Sequence, residues 1–168
     1  MKNMKRISIV LALSVLGFAS VTAIAQQAAV AAQPAQKINM SEKIFDPKAD
    51  SAKDIAAAIK LAGKQNKKII LDVGGNWCSW CHKLDDLFKT DKEIGTTLKK
   101  KYIVVKVNYS QDNENKEVLA NYPKITGYPH LFVLDKTGKL LHSQDTGLLE
   151  TGDHHDPKKV MEFLNKWK

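Results

Sequence analysis

From residue 50 onward, the hydrophobic pattern of the chain changes repeatedly between the spacing of a helix and that of a strand. Apolar residues that recur every three or four positions predict amphipathic helices, whereas short apolar or alternating runs predict strands. Helices are expected over about 50–63, 82–88, 92–100 and 116–121 and from Asp156 onward, and strands over 67–73, 102–108, 130–135 and 139–143. This order predicts an α/β fold with a central mixed β-sheet flanked by helices.

Cap and turn residues mark several of these boundaries. Asp50 or Ser51 can cap the first helix, with Asp54 placed to close a capping box on Ser51. Asp156 and Pro157 are typical of an N-cap followed by the first helical position. The turn over 136–138 joins two apolar runs and predicts a β-hairpin. The first helix is expected to bury a face made of Ile55, Ala56, Ile59 and Ala62.

The N-terminal residues have the order of a secretory signal. Lys2, Lys5 and Arg6 precede an apolar run over 7–18, and small residues then lead to Ala25. A retained membrane anchor is the alternative, but serine, glycine and threonine dilute the run below what a spanning helix needs. We therefore expect a signal peptide over residues 1–25, export to the periplasm, and no stable membrane insertion after the signal peptide is cleaved.

Length and charge narrow the class of protein further. The chain has 168 residues and a formal net charge of +8, and the part after the signal has the size of one compact domain. We expect this part of the chain to consist of a flexible Ala- and Gln-rich leader over 26–49 and a single domain over 50–168. Because Arg6 is the only arginine, nucleic acid is a poor candidate partner. Lysine runs such as 99–101 are expected to be solvated helix ends.

The mature chain has two cysteines, in the order Cys78-Ser79-Trp80-Cys81. They follow a buried strand and begin a helix, whose N-terminus favours a thiolate at Cys78. Cys81 lies about one turn further on, where its thiol can attack a mixed disulfide formed at Cys78. A bond that closes so short a loop stabilises the fold little. The pair therefore predicts reversible disulfide exchange, with Cys78 as the nucleophile and Cys81 as the resolving thiol.

Several separate segments resemble the thioredoxin superfamily. The stretch from Leu71 to Cys81 is similar to the family's active-site segment, with an acidic residue six positions before the first cysteine and a tryptophan next to it. Residues 125–129 resemble the loop that carries the family's cis-proline, and Gly147 matches a glycine after the last hairpin strand. The resemblance covers about 50–168. It is greatest to the exported branch that includes the C-terminal domain of the membrane-bound thiol-disulfide interchange protein.

This resemblance implies a thioredoxin-like fold and a role for several neighbours of the dithiol. Burial disfavours a charged carboxylate, which would suit Asp72 to take a proton from Cys81; a strand-end aspartate that reaches solvent is the alternative. A cis Pro129, preceded by Tyr128, would present a backbone edge to an extended substrate. Trp77 and Trp80 could form an apolar platform for substrate, or only pack. Lys106 could pair with Asp72 or remain a solvated strand lysine.

The resulting hypothesis is a periplasmic thiol-disulfide oxidoreductase that reduces disulfides in protein substrates and receives electrons from a separate redox-partner protein. It needs no cofactor and no metal. Ser79 and Trp80 replace the Gly-Pro of ordinary thioredoxin, so the redox potential stays open. Two other functions remain open for the same residues. One is a haem c protein, because His82 completes a Cys-x-x-Cys-His sequence. The other is a copper(I) protein in which His130 approaches the cysteines. His154 and His155 are expected in an exposed turn.

Overall fold

The computed structural model describes residues 38–168. The predicted signal peptide and the first part of the leader lie outside the described residues. A four-stranded sheet has the order β2-β1-β3-β4, and a separate two-stranded sheet is formed by β5 and β6. The strands are β1 Lys68–Gly74, β2 Tyr102–Asn108, β3 His130–Leu134, β4 Leu140–Asp145, β5 Glu150–Thr151 and β6 His154–His155.

The helices lie between these strands in the chain. They are α1 Ser51–Gln65, α2 Ser79–Thr90, α3 Lys92–Lys101, α4 Lys116–Leu119 and α5 Pro157–Trp167, with a 3₁₀ helix at Thr146–Leu149. Strand β1 is central, parallel to β2 and antiparallel to β3, and β3 pairs antiparallel with β4. The prediction of a mixed sheet flanked by helices is confirmed.

The sheet separates two apolar clusters, as the pattern of buried residues along β1 requires. Because successive side chains of a strand point to opposite faces, Ile70 joins the cluster that includes α2, α3 and α5, whereas Ile69, Leu71 and Val73 join the cluster with α1. All four side chains have no exposed surface. Strand β1 is therefore held from both faces, and its C-terminal end is a rigid base for the residues that follow.

Helix α1 begins at one of the two predicted caps, but it differs from the prediction in two details. Asp50 is the N-cap, because its side chain accepts a hydrogen bond from the Lys53 amide. Ser51 is instead the first helical residue and is buried, so the capping box predicted on Ser51 is wrong. The buried face contains Ala58 and not Ala56, which is exposed, since the helix turns its 58 and 62 positions toward the sheet.

The packed domain begins before residue 50. Phe45, which the sequence places in the flexible leader, is only 2% exposed. The side chain of Asn76 holds this segment: its Oδ1 accepts hydrogen bonds from the amides of Ile44 at 2.9 Å and Phe45 at 3.0 Å, and its Nδ2 donates to the Phe45 carbonyl at 2.8 Å. The expected boundary therefore came too late in the chain, since residues 44–45 belong to the folded domain.

Candidate active site at the end of the central strand

The two cysteines lie where β1 ends and α2 begins, and they form a disulfide. Cys78 is the N-cap of α2, and its sulfur accepts a hydrogen bond from the Cys81 amide at 3.1 Å. Cys78 is 5% exposed and Cys81 is 1% exposed. A helix N-terminus stabilises negative charge. The geometry therefore gives the Cys78 sulfur a favourable environment for a thiolate and encloses Cys81 more deeply.

Asp72 and Gly74 occupy the same face of β1, because they are two residues apart in a strand. A Cβ atom on Gly74 would lie 2.5 Å from the Cys81 sulfur. This approach requires glycine at position 74, and it indicates that the Asp72 side chain lies on the Cys81 side of the strand. Asp72 is 1% exposed, and its Oδ1 has no hydrogen-bond partner among the described residues.

A chain of ion pairs joins Asp72 to the protein surface. The Lys106 ammonium lies 2.7 Å from Asp72 Oδ2 and 2.7 Å from Asp85 Oδ1, and Lys89 pairs with Asp85 at 2.7 Å and with Glu42 at 2.5 Å. Burial opposes the charge of Lys106, but the two carboxylates outweigh it and raise the pKa of the ammonium. Burial likewise opposes the charge of Asp85, but the two lysines outweigh it and lower the pKa of that carboxyl.

The register of the sheet explains why Lys106 reaches this position. Asp72 and Lys106 are direct partners across the parallel pair β1 and β2. The Lys106 ammonium also lies 5.1 Å from the centre of the Phe45 ring, and Phe45 packs against both cysteines. Phe45 therefore covers the disulfide on this side of the site and lies between it and the Lys106 ammonium.

Aromatic side chains border the disulfide on the side of the proline loop. Trp77 is 57% exposed, donates a hydrogen bond from Nε1 to the Tyr109 carbonyl at 2.7 Å, and meets the Tyr128 ring edge-on at 5.7 Å. The Tyr109 and Tyr128 rings stack at 4.8 Å. Tyr128 packs against the cluster of Phe45 and the two cysteines, and the Tyr128–Pro129 peptide bond is cis, as predicted.

On the other side of the dithiol, Trp80 lies between two cationic or basic side chains. The Lys83 ammonium is 4.2 Å above the Trp80 ring, and the His155 ring meets Trp80 edge-on at 5.3 Å. The prediction that His154 and His155 lie in an exposed turn is wrong for His155, which is 3% exposed because the β5–β6 hairpin folds onto α2. Its Nε2 lies 3.2 Å from the Trp80 carbonyl, and burial lowers its pKa to about 4.

The other histidines near the motif have backbone or hydroxyl partners. The Nε2 atom of His82 lies 3.0 Å from the Asn76 carbonyl, and His130 Nε2 lies 2.8 Å from the Ser143 hydroxyl. Burial lowers the pKa of His130. Within residues 38–168, no three His, Cys, Asp or Glu side chains are grouped so that they could hold a metal ion. These contacts favour structural roles for His82 and His130.

The residues named from the sequence thus converge on one end of β1. Cys78 and Cys81 form the disulfide, Tyr128 and Trp80 pack against it, and Trp77 meets Tyr128 edge-on. Asp72 lies on the Cys81 side of β1, and Pro129 comes directly before His130, which is paired with Val73 in the sheet. The sequence analysis left Lys106 open and missed Asp85, Asn76, Phe45 and His155. The helical spacing of Cys78, Cys81 and Asp85 could have placed Asp85 on the inner face of α2. Nothing local marks Phe45 or His155.

The fold and the site together define the class of this protein. The model of the thioredoxin-like family matches residues 50–136, about half of the chain, and the chain belongs to this family. Both the resemblance and the fold class predicted from the sequence are confirmed.

Named relatives make the likeness more specific. The chain is 32% identical over 95 residues to the disulfide bond reductase DsbH of Chlamydia pneumoniae, a match that covers 51% of this chain and 57% of the relative. It is 29% identical over 92 residues to the thiol:disulfide interchange protein DsbD of Actinobacillus pleuropneumoniae serotype 5b (strain L20), covering 54% of this chain and 16% of the relative. The chain thus matches less than two thirds of either relative's length.

The structure of a disulphide isomerase from Xylella fastidiosa Temecula1 superposes with a TM-score of 0.67 and 23% identity. This likeness covers 75% of the present chain and 97% of the other. At that level of identity it shows that the two proteins share a fold.

Proposed function

We propose that the protein is an exported thiol-disulfide oxidoreductase that reduces disulfides in protein substrates. The observation that carries this proposal is the Cys78–Cys81 disulfide at the N-terminus of α2, with the buried Asp72 carboxylate on the Cys81 side of β1. The pair as described is the oxidised half of a dithiol cycle. The family membership and the likeness to a disulfide bond reductase support the assignment.

In the first step, the Cys78 thiolate attacks one sulfur of a substrate disulfide. The substrate bond breaks, one substrate sulfur leaves as a thiolate, and a mixed disulfide joins Cys78 to the other. The hydrogen bond that Cys78 Sγ accepts from the Cys81 amide, together with the helix N-terminus, stabilises the attacking anion. Cys78 is the more exposed of the two cysteines, which suits it to meet the substrate.

In the second step, Cys81 loses its proton and attacks the Cys78 sulfur. The Cys78–Cys81 bond forms, the second substrate sulfur leaves as a thiolate, and two electrons have passed from the protein to the substrate. Asp72 is the proposed acceptor of the Cys81 proton, since its Oδ1 has no partner among the described residues and the Lys106 ammonium holds Oδ2. A separate redox partner must then restore the dithiol.

The substrate chain is proposed to lie over the cis Tyr128–Pro129 bond. Trp77 and Tyr128 form an exposed aromatic wall beside the disulfide, and Trp80 forms the second wall. Backbone groups near Pro129 would pair with an extended segment. This arrangement favours unfolded or flexible protein segments over compact small molecules.

Export to the periplasm is part of the proposal and rests on the signal-like N-terminal sequence. In the part of the chain that the structure covers, no helix is both long enough and apolar enough to cross a membrane. Fractionation of cells that produce the full chain tests the location: the processed protein should appear in the periplasmic fraction, and an unprocessed protein in the cytosol would contradict it.

The cysteine roles are tested with three single substitutions and a disulfide-containing protein substrate. Cys78→Ser should abolish turnover, whereas Cys81→Ser should accumulate a mixed disulfide detectable by mass spectrometry without reductant. Ser79→Ala, between the two cysteines, keeps both thiols and is the matched control: it should complete turnover without accumulating a mixed disulfide. Unchanged exchange by Cys78→Ser would overturn the mechanism.

The direction of transfer needs a separate measurement. Titration of the dithiol in glutathione or dithiothreitol buffers, followed by tryptophan fluorescence, gives the reduction potential. A value near that of thioredoxin, about −270 mV, supports a reductase, and a value near about −120 mV identifies an oxidant.

A further inference from the structure

Lysines gather at the end of the domain that lies opposite the disulfide. Three segments meet there: residues 63–68 after α1, residues 98–102 at the junction of α3 and β2, and residues 135–140 in the β3–β4 turn. We call this region the basic end. Its lysines are Lys64, Lys67, Lys68, Lys99, Lys100, Lys101, Lys136 and Lys139.

Contacts between the three segments show that this grouping is spatial. Lys67 Nζ donates a hydrogen bond to the Lys99 carbonyl at 2.8 Å, and Lys136 Nζ donates to Asn66 Oδ1 at 2.9 Å. Lys68 begins β1 and is paired in register with Tyr102, which begins β2. Six of the eight lysines are exposed and two are half-buried. The segments therefore form one continuous surface.

The charge of this surface is not balanced locally. Asp135 is the only carboxylate in the three segments, and it accepts hydrogen bonds from the backbone amides of Thr137 and Lys139 within the turn. Among residues 38–168, none of the eight lysines forms a salt bridge. Eight lysines and one aspartate give the basic end a formal charge of +7.

The rest of the described chain has the opposite sign. Outside the basic end, residues 38–168 contain 14 lysines and 17 acidic residues, a formal charge of −3. The net positive charge of the folded domain thus comes entirely from one end. Lys68 and Gly74 are the two ends of β1, so the basic end and the disulfide lie roughly 20 Å apart at about 3.3 Å per residue.

We propose that the basic end is a docking surface for a membrane that carries anionic phospholipids. The negative potential of such a surface attracts clusters of about four to eight lysines. Binding in this orientation presents the dithiol away from the bilayer, where a protein substrate can reach it. This inference depends on charge placement and not on the redox chemistry.

The composition of the basic end favours lipid over an acidic protein. Protein interfaces rely on arginine and aromatic side chains for most of their affinity, and the basic end has no arginine and no exposed aromatic residue. Lysine is a flexible point charge without a fixed bonding geometry. It therefore suits a fluid layer of headgroups better than a shaped protein surface.

The test compares two quadruple variants of the full chain that have the same net charge. The first replaces Lys67, Lys99, Lys100 and Lys136 by Gln, and the control replaces the exposed residues Lys43, Lys48, Lys124 and Lys158 by Gln. Co-sedimentation is measured with vesicles of phosphatidylcholine alone and with added phosphatidylglycerol. Both variants keep residues 1–37, so any contribution of that segment is common to both.

The parent and the control should bind the anionic vesicles, and the basic-end variant should bind at least tenfold more weakly. Binding of the parent should weaken with salt, since the screening length falls to about 8 Å at 0.15 M. Equal loss in both variants, or no preference of the parent for anionic vesicles, would overturn the proposal. Binding to polyglutamate but not to vesicles would identify an acidic protein as the partner instead. Both variants should reduce a soluble disulfide substrate as the parent does, which separates this result from failure of the proposed redox function.

Discussion

The burial of His155 predicts how the stability of this protein depends on pH. Replacement of His155 by Gln removes a titrating ring, while the amide of the new side chain can still donate to the Trp80 carbonyl. His154→Gln is the matched control, because the neighbouring His154 is exposed. We expect the free energy of unfolding to depend little on pH near pH 7 in either variant. Below about pH 6.5 it should fall more steeply in His154→Gln than in His155→Gln.

The size of this effect follows from the difference between the pKa of His155 in the folded protein and its pKa in the unfolded chain. Burial lowers the pKa of His155 to about 4 in the folded protein, against about 6.5 in the unfolded chain. The unfolded state therefore takes up the proton first, and the free energy of unfolding falls as the pH decreases from about 6.5 to 4. At about 1.36 kcal/mol for each pKa unit, the loss is about 2 kcal/mol at pH 5 and about 3 kcal/mol at pH 4.

Urea unfolding of the oxidised protein at several values of pH between 7 and 4 measures this effect. The parent and His154→Gln should lose stability over that range more steeply than His155→Gln, by about 2 to 3 kcal/mol in total. Other groups, including His130, are the same in the parent and in His155→Gln, so that comparison isolates one residue, whereas His154→Gln also removes the exposed contact between His154 and Asp153. Parallel curves for the parent and His155→Gln would refute the argument that His155 is buried in its neutral form.

Two further substitutions test contacts around the disulfide. Lys106→Met leaves two buried carboxylates without their shared cation and should lower the free energy of unfolding by about 3 kcal/mol. Its control is Lys116→Met, at an exposed ion pair, which should lower that free energy by under about 1 kcal/mol. Equal urea midpoints for the two variants would contradict the proposed ion-pair network. Gly74→Ala places a methyl group 2.5 Å from the Cys81 sulfur and should cost about 1–3 kcal/mol by overpacking. Gly127→Ala, where a Cβ meets nothing within 4 Å, is its control, and equal thermal midpoints would count against the close approach.

Much of the fold could be predicted from local sequence. Strand β2 has the predicted bounds, Tyr102–Asn108, because its branched and aromatic residues lie between a charged helix end and polar residues. Asp156 caps α5 with Pro157 in the first turn, as their sequence indicates. These features depend on residues a few positions apart, and the sequence displays such neighbours directly.

The dithiol could be predicted for a similar reason. The spacing of Cys78 and Cys81 brings them onto one turn of a helix, and the preceding apolar run predicts the strand that ends beside them. The functional assignment of Asp72, Trp77 and Pro129 came from resemblance to a family and remains a proposal.

The contacts that the sequence did not reveal join residues far apart in the chain. Asn76 holds Phe45 across 31 positions, and His155 meets Trp80 across 75 positions. In each case the partner is an ordinary backbone group, which no residue type announces. For this reason the sequence placed His155 in an exposed turn and Phe45 within the flexible leader.

The sequence by itself determined the helices and strands, the α/β class and the position of the redox pair, because hydrophobic spacing and capping act over one or two turns. Only the tertiary structure decided what surrounds that pair. The pairing of β1 with β2 brings Lys106 to Asp72, and the packing of α2 adds Asp85 to the same ammonium. Because these groups are buried, each one needs the opposite charge of its neighbours to remain charged. Burial depends on how the whole chain packs and not on any single segment.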